Sequence, residues 1–276
     1  MRINAYLFAA DGEFVERSVA SYYDLVDRLV VSYDASGRAW NGVPLDVEDC
    51  LRRLGGLGKV ERRAGRFCRP ELAPMAAETA QRAAALAAAG DGADWVLQID
   101  ADEVLPDREA LLAALRAAEE LGLAAVEWPM RVLFRSLGHG RFLEVCDIDG
   151  GERYEYPGAV AVRPGTPLRN GRQVGVPFLR AVVRGDARSL QVTRPAEEDE
   201  RRVELLDPQQ AIVHFSWAGS RARIRSKVRS WGHSDGRRTR VFYLLRWRPA
   251  PLLWRTMRDF HPFSRGLWPA LKVVRL

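Results

Sequence analysis

The stretch Trp95-Val96-Leu97-Gln98-Ile99-Asp100-Ala101-Asp102-Glu103 decides how the rest of the chain is read. Four of its first five residues are apolar, β-branched or aromatic, the composition of a buried strand. It then meets three carboxylates within four residues. A strand alternates faces, so the spacing predicts Asp100 and Asp102 on one side, with the small Ala101 between them. Two hard oxygen donors at the carboxyl end of a buried strand suit a divalent cation, Mg²⁺ or Mn²⁺. In open α/β sheets that edge is where ligands bind. The plainer alternative is a solvated acidic turn closing the strand.

Working outward, Ile3 to Ala9 reads as a first strand, broken at Asp11-Gly12-Glu13. Phe14, Ser18/Val19, Tyr22, Val26 and Leu29 recur at helical spacing. Leu29 to Tyr33 reads as a second strand ending at Asp34, an acid placed to meet a ribose or base edge, or simply to cap a turn. The first crossover has only Gly12, which argues against a dinucleotide fold. Helices are expected over Asp46–Leu54, over Pro74–Ala89 and from Pro106 to Gly122, with an edge-like strand at Lys59–Arg63. Leu123–Trp128 and Arg131–Phe134 read as strands. Alternating β and α segments predict an α/β fold with a mainly parallel central sheet and helices on both faces. From Gly138 to Arg194, Gly and Pro become frequent, and short β-like runs (Ala159–Val162, Leu179–Val183) replace helices. The charge run Ala196–Arg202 reads as a solvated loop or helix start.

The 276 residues, 47% hydrophobic, suit one large domain with or without an appendage. Cys50, Cys68 and Cys146 are far apart and form no Cys-x-x-Cys pair, which argues against a disulfide framework or zinc site and fits a reducing compartment. No secretory signal or apolar run long enough to span a bilayer is recognisable, so a cytoplasmic location is expected, with peripheral contact at the inner membrane face as a further expectation. Net charge is +6 but uneven. From Trp217 onward there are 15 Lys/Arg against 2 Asp/Glu and five of the eight tryptophans; the remainder holds 27 basic and 34 acidic residues. Such asymmetry points to a polyanionic partner, a phosphate-bearing substrate or a membrane surface.

Three separated blocks resemble glycosyltransferases of the GT-A fold, the β-1,4-mannosyl-glycoprotein N-acetylglucosaminyltransferases and, more broadly, family 2. They are Asp24–Val31 through Gly42; Glu78-Thr79-Ala80-Gln81-Arg82 followed by Asp94–Asp107 with its Asp-x-Asp-Glu-x-x-Pro pattern; and His214–Ser220 with Ile224, Lys227, Ser230 and His233. Ala83 stands where the family usually places Asn, so one polar contact near the donor is expected to be missing. The resemblance covers roughly residues 1–135 and 210–235. It implies a GT-A domain over 1–235, with a donor- and metal-binding half (1–135) and an acceptor half (136–235), followed by a basic aromatic extension (236–276). It further implies inverting transfer of a sugar from a nucleotide donor, a UDP-sugar favoured, to a carbohydrate, lipid-linked or small-molecule acceptor.

On that reading Mn²⁺ or Mg²⁺ is held by Asp100, Asp102 and His214. Asp11, Asp34, Arg82, Asp100, Arg223 and Lys227 contact the donor; Arg223 and Lys227 lie four apart on a helix capped by Ser220 and can grip a diphosphate together. His233 is a supporting group. Inversion needs a general base; Glu198 and Asp199 are chosen from their distance after the metal motif, with Asp147, Asp149, Glu152 and Glu155 the other acids of the acceptor region. The tail interleaves Trp247, Trp254, Phe260, Phe263 and Trp268 with arginines, suited either to a membrane interface or to packing on the domain. Two other readings are weighed. One is a basic binding module for nucleic acid or an anionic membrane; it has no nucleic-acid motif, so nucleic acid is not an expected partner. The other is a sugar-1-phosphate nucleotidyltransferase, which would carry a Gly-rich cationic loop where this chain has Ala9-Ala10-Asp11-Gly12.

Overall fold

A computed structural model describes residues 1–69, 71–230 and 236–276. The apolar runs and helical spacings at the start of the chain become β1 (Ile3–Phe8), α1 (Val15–Tyr22), β2 (Arg28–Asp34), α2 (Val47–Leu54), β3 (Val60–Gly65), α3 (Pro74–Gly90) and β4 (Trp95–Leu97). Next come β5 (Glu103–Val104), α4 (Arg108–Glu120), β6 (Ala125–Glu127), β7 (Met130–Gly138) and β8 (Arg141–Cys146). β9 (Ala159–Val162), β10 (Leu168–Arg169), β11 (Gln173–Val174), β12 (Phe178–Val183), the single turn α5 (Leu190–Thr193), β13 (Glu200–Leu206) and β14 (Ile212–His214) follow. The chain closes with α6 (Arg221–Ser230), α7 (Gly236–Phe242), α8 (Ala250–Leu253) and β15 (Ala270–Arg275). Local chemistry sets several ends: Asp46 caps α2 by accepting from Asp49 N, Asp107 caps α4 by accepting from Ala110 N, and Pro74 opens α3.

The main sheet has eight strands in the order β13-β12-β6-β9-β4-β1-β2-β3. Every pairing is parallel except those of β9, which runs antiparallel to β4 and β6. Helices cover both faces, because alternate residues of one strand feed different cores. Ile3, Ala5 and Leu7 of β1 pack with α1, α2 and α4, whereas Tyr6 and Phe8 pack with Ala85, Leu86 and Ala89 of α3. The expected mainly parallel α/β fold is therefore present.

Three local expectations change. β4 stops at Leu97, so Asp100 and Asp102 are not strand residues; Ala101 and Asp102 form a turn into β5. The buried Gln98 marks the exit, its Oε1 accepting from the Tyr6 hydroxyl at 2.5 Å and its Nε2 donating to Ala159 O at 2.8 Å. The charge run at 196–202 begins as a loop with a turn at 198–199 and ends as strand: Glu200 opens β13, where Arg180, Arg194 and Arg202 neutralise it. Finally, a second sheet, β15-β8-β7-β14-β5, was not expected.

That second sheet carries the C-terminal segment. β15 pairs antiparallel along the whole of β8. Trp217, Phe242, Tyr243, Trp247, Phe260 and Trp268 close over β7 and β8 in a separate apolar core. At its centre the fully buried Phe134 ring lies 6.0 Å from Phe242, 5.0 Å from Phe260 and 5.6 Å from Trp268, all edge-on. Residues 236–276 are thus packed structure rather than a free appendage. Among the described residues no helix is long and apolar enough to cross a membrane. Phe134→Ala is expected to lower unfolding free energy by about 3–5 kcal/mol, read from urea denaturation followed by tryptophan fluorescence.

Candidate functional site

A cavity of about 1100 Å³ lies at the carboxyl ends of β1, β2 and β4. It is walled by the loop after β1, the end of β2, α3, the 100–102 turn, α6 and the loop before β15. Asp100 and Asp102 both line it. What presents them is a buried ion pair beneath the turn. Arg172 donates to Glu103 through both terminal nitrogens (2.5 and 2.8 Å) and to Gln98 O (3.1 Å). Glu103 Oε2 also accepts from the Asp100 backbone N at 3.0 Å. Arg172 lies between two of the shortest strands, and its charge gave no clue to this role in the sequence.

Asp100 faces Arg82, whose guanidinium donates to Asp100 (3.0 Å) and Glu78 (3.1 Å) and stacks 4.9 Å over Phe8. Burial alone would lower the Arg82 pKa; Asp100, Tyr6 and Glu78 outweigh it and hold the value well above the ordinary one. Likewise burial works against ionisation of Asp100, but Arg82 and Arg172 bring its pKa below the usual carboxylate value. Arg82 keeps one buried nitrogen, the other terminal NH, without a hydrogen-bond partner. The preceding Gln81 turns the same way, accepting from Trp40 Nε1 (2.7 Å) and donating to Ser32 Oγ (3.2 Å). Trp40, also on the cavity wall, carried no signal of its own in the sequence. Ala83 is exposed and off the cavity, so its lack of an amide removes nothing from this wall.

Asp102 is met by α6. Its Oδ2 accepts from Arg223 at 2.6 Å and lies 3.6 Å from Lys227 Nζ; its Oδ1 lies 3.6 Å from His214 Nε2. Burial opposes the charge, but Lys227, His214 and Arg223 together hold the Asp102 pKa well below the ordinary value. Arg223 also pairs with Asp11, so it bridges the loop after β1 to the turn after β4. Lys227 donates to Ser216 O (2.8 Å) and Oγ (3.0 Å); burial lowers its pKa while Asp102 opposes the shift. Ser220 Oγ accepts from Arg223 N at 3.2 Å and so starts the helix as expected.

Other candidates sit differently. Asp34 lines the cavity, yet its carboxylate takes Ser36 N and Oγ on one oxygen and Phe67 N (2.6 Å) and Cys68 N (2.7 Å) on the other, the work of a loop anchor. Burial would raise its pKa, but these donors lower it. Glu198 and Asp199 are exposed in the turn entering β13, and β12, β6 and β9 separate that edge strand from β4; neither reaches the cavity. Of the other acids considered, Asp147, Asp149 and Glu152 are also off the cavity, whereas Glu155 lines it. Glu155 is clamped to Met130 by two backbone hydrogen bonds, and its carboxylate accepts from Trp268 Nε1. Burial raises its pKa, with the Trp268 hydrogen bond acting in opposition. His233 lies outside the described residues.

Among the described residues no three His, Cys, Asp or Glu side chains are grouped to hold one ion. Asp102 Oδ1 and His214 Nε2 stand 3.6 Å apart, a carboxylate and an imidazole of the kind that suits Mn²⁺ or Mg²⁺ when other oxygens complete the shell. These two side chains fit an ion whose remaining ligands come from elsewhere.

No family model matches the chain, and no curated protein does. Among solved structures it is similar to a 4-diphosphocytidyl-2C-methyl-D-erythritol synthase from Anaerococcus prevotii (13% identity, TM-score 0.34, covering 59% of this chain and 71% of that one). It is also similar to a mannose-6-phosphate isomerase from Helicobacter pylori (12%, 0.28, 59% and 61%) and a mannose-1-phosphate geranyltransferase from Thermus thermophilus (15%, 0.28, 60% and 51%). The chain thus spans about three fifths and one half of the last two. At these TM-scores the likenesses carry no argument.

Arg172→Met leaves the buried Glu103 without its counter-charge. It is expected to cost about 3–5 kcal/mol in urea unfolding, with much of the loss recovered in Arg172→Met/Glu103→Leu.

Proposed function

We propose that the chain is a nucleotide-sugar-dependent glycosyltransferase working in this cavity. The observation that supports the reading is that both acids of the 100–102 turn share one cavity with Arg82, Arg223, Lys227, His214 and Glu155. A leaving nucleoside diphosphate develops charge, and the groups that stabilise it must be fixed before it forms. Lys227 lines the cavity as a cation fixed in advance, and the unpartnered nitrogen of Arg82 offers a donor. The Trp40 ring gives a flat surface on which a base can stack. Asp102 and His214 would hold Mn²⁺ or Mg²⁺, which supplies Lewis-acid neutralisation of the diphosphate. Glu155 takes the proton of the acceptor hydroxyl, in place of Glu198 or Asp199.

A second reading, sugar-1-phosphate nucleotidyl transfer, would use the same acids and cations. Against it, the loop after β1 presents Asp11 and Glu13, already engaged by Arg223 and by Ser220 N (2.8 Å), where a triphosphate needs backbone donors and free cations. The product separates the two readings: nucleoside diphosphate from sugar transfer, pyrophosphate from nucleotidyl transfer.

The test is a panel of UDP-, GDP-, dTDP- and CDP-sugars with Mn²⁺, following nucleoside diphosphate and pyrophosphate release. Asp102→Ala is expected to lower transfer by 10²-fold or more, roughly the loss seen when a transition-state charge contact is removed; undiminished turnover by Asp102→Ala overturns the reading. A base works deprotonated, and the Glu155 pKa is raised, so kcat should fall on acidification already above the ordinary glutamate range. Glu155→Gln should remove that acid limb and lower kcat by about 10²–10⁴-fold while donor binding, read by thermal shift, persists.

A further inference from the structure

We propose that the surface formed by α7, the turn Tyr243–Trp247 and α8 docks on an anionic lipid bilayer. From Arg237 to Arg258 the chain holds seven arginines and no aspartate or glutamate. All seven are exposed, and among the described residues none of them enters an ion pair. The apolar residues between them divide into two sets. Phe242, Tyr243, Trp247 and Ala250 point into the second core. Val241, Leu244, Leu245, Leu252 and Leu253 point out, Leu245 at 67% and Leu252 at 85% exposure. These five, within 13 residues, are nearly half of the eleven large apolar side chains exposed among the described residues. An aliphatic ridge fringed by arginine is the pattern of a segment lying in a membrane interface. The helices are too short to cross a bilayer; α7 has seven residues and α8 four.

The chemistry of the ridge favours lipid over nucleic acid. Bases stack on aromatic faces, and here Phe242, Tyr243 and Trp247 are buried, Trp254 is half-buried against the second core, and the large apolar residues that stand fully outward are leucine and valine. The surface also adjoins the cavity: the Arg238 guanidinium lies 5.3 Å over the Phe263 ring, and Phe263 lines the cavity wall. Docking would bring that wall close to the headgroups.

The full chain, tested for binding alone, should pellet with phosphatidylcholine vesicles containing roughly one third phosphatidylglycerol at low salt, stay in solution with pure phosphatidylcholine, and be released by high salt. Leu245→Gln/Leu252→Gln/Leu253→Gln should weaken binding about tenfold or more, and Arg246→Gln/Arg248→Gln/Arg255→Gln roughly a hundredfold. All six positions are exposed, so thermal unfolding should stay at the parent value and separate lost docking from lost folding. The proposal is overturned if the parent stays in solution with anionic vesicles. It is equally overturned if the leucine variant pellets like the parent, or if a single-stranded oligonucleotide binds parent and leucine variant alike and displaces the vesicles.

Discussion

The buried pair of Arg172 and Glu103 is the constraint on which the cavity depends. A buried ion pair is a poor source of stability, since desolvating both partners offsets most of their attraction. Its worth here is geometric. Glu103 receives Arg172 on both oxygens and the Asp100 amide on one, and Arg172 also holds Gln98 O, so both ends of the short turn are tied to one ion pair. The turn is also where the two sheets meet: β4 belongs to the eight-stranded sheet and β5 to the five-stranded one. Both acids therefore stand on a junction fixed from below and from either side.

The second sheet completes what the first leaves open. β14 pairs His214 opposite Glu103 and so brings the imidazole beside Asp102. The chain then continues through Trp217 into α6, which returns Arg223 and Lys227 to the same carboxylate. The aromatic core under β7 and β8 holds this return path, with the Trp247 indole donating to Trp217 O at 2.8 Å. Catalytic candidates from distant parts of the sequence thus converge because the C-terminal third is packed rather than trailing.

Much of the main sheet was legible because its signals are local. Apolar runs, Asp46 and Asp107 as caps and Pro74 at a helix start each act over a few residues. Asp100 and Asp102 were legible as a pair facing one cavity, though for the wrong geometric reason, a turn rather than strand alternation. What was not legible depends on long-range pairing. β8 and β15 are assigned by meeting each other across more than a hundred residues, and β13 hides its strand character under charges that three arginines neutralise. Arg172 looked like any arginine in a Gly-rich stretch. Asp34 looked like a ligand contact because strand-end acids do both jobs, and only the Phe67 and Cys68 amides reveal which. Spacing from the acidic motif picked Glu198 and Asp199, but the chain between folds into strands that carry them to the far edge, while Glu155 stays near.

Arg223 closes a latch between the first and the last parts of the chain, holding Asp11 with one nitrogen and Asp102 with another. An anion entering the cavity can recruit that guanidinium only by exchange, taking it from a carboxylate that must then find a different counter-charge. Occupancy and closure are consequently coupled through one side chain: an anion that takes Arg223 releases Asp11 or Asp102, and its binding is weighed against the internal partner it displaces.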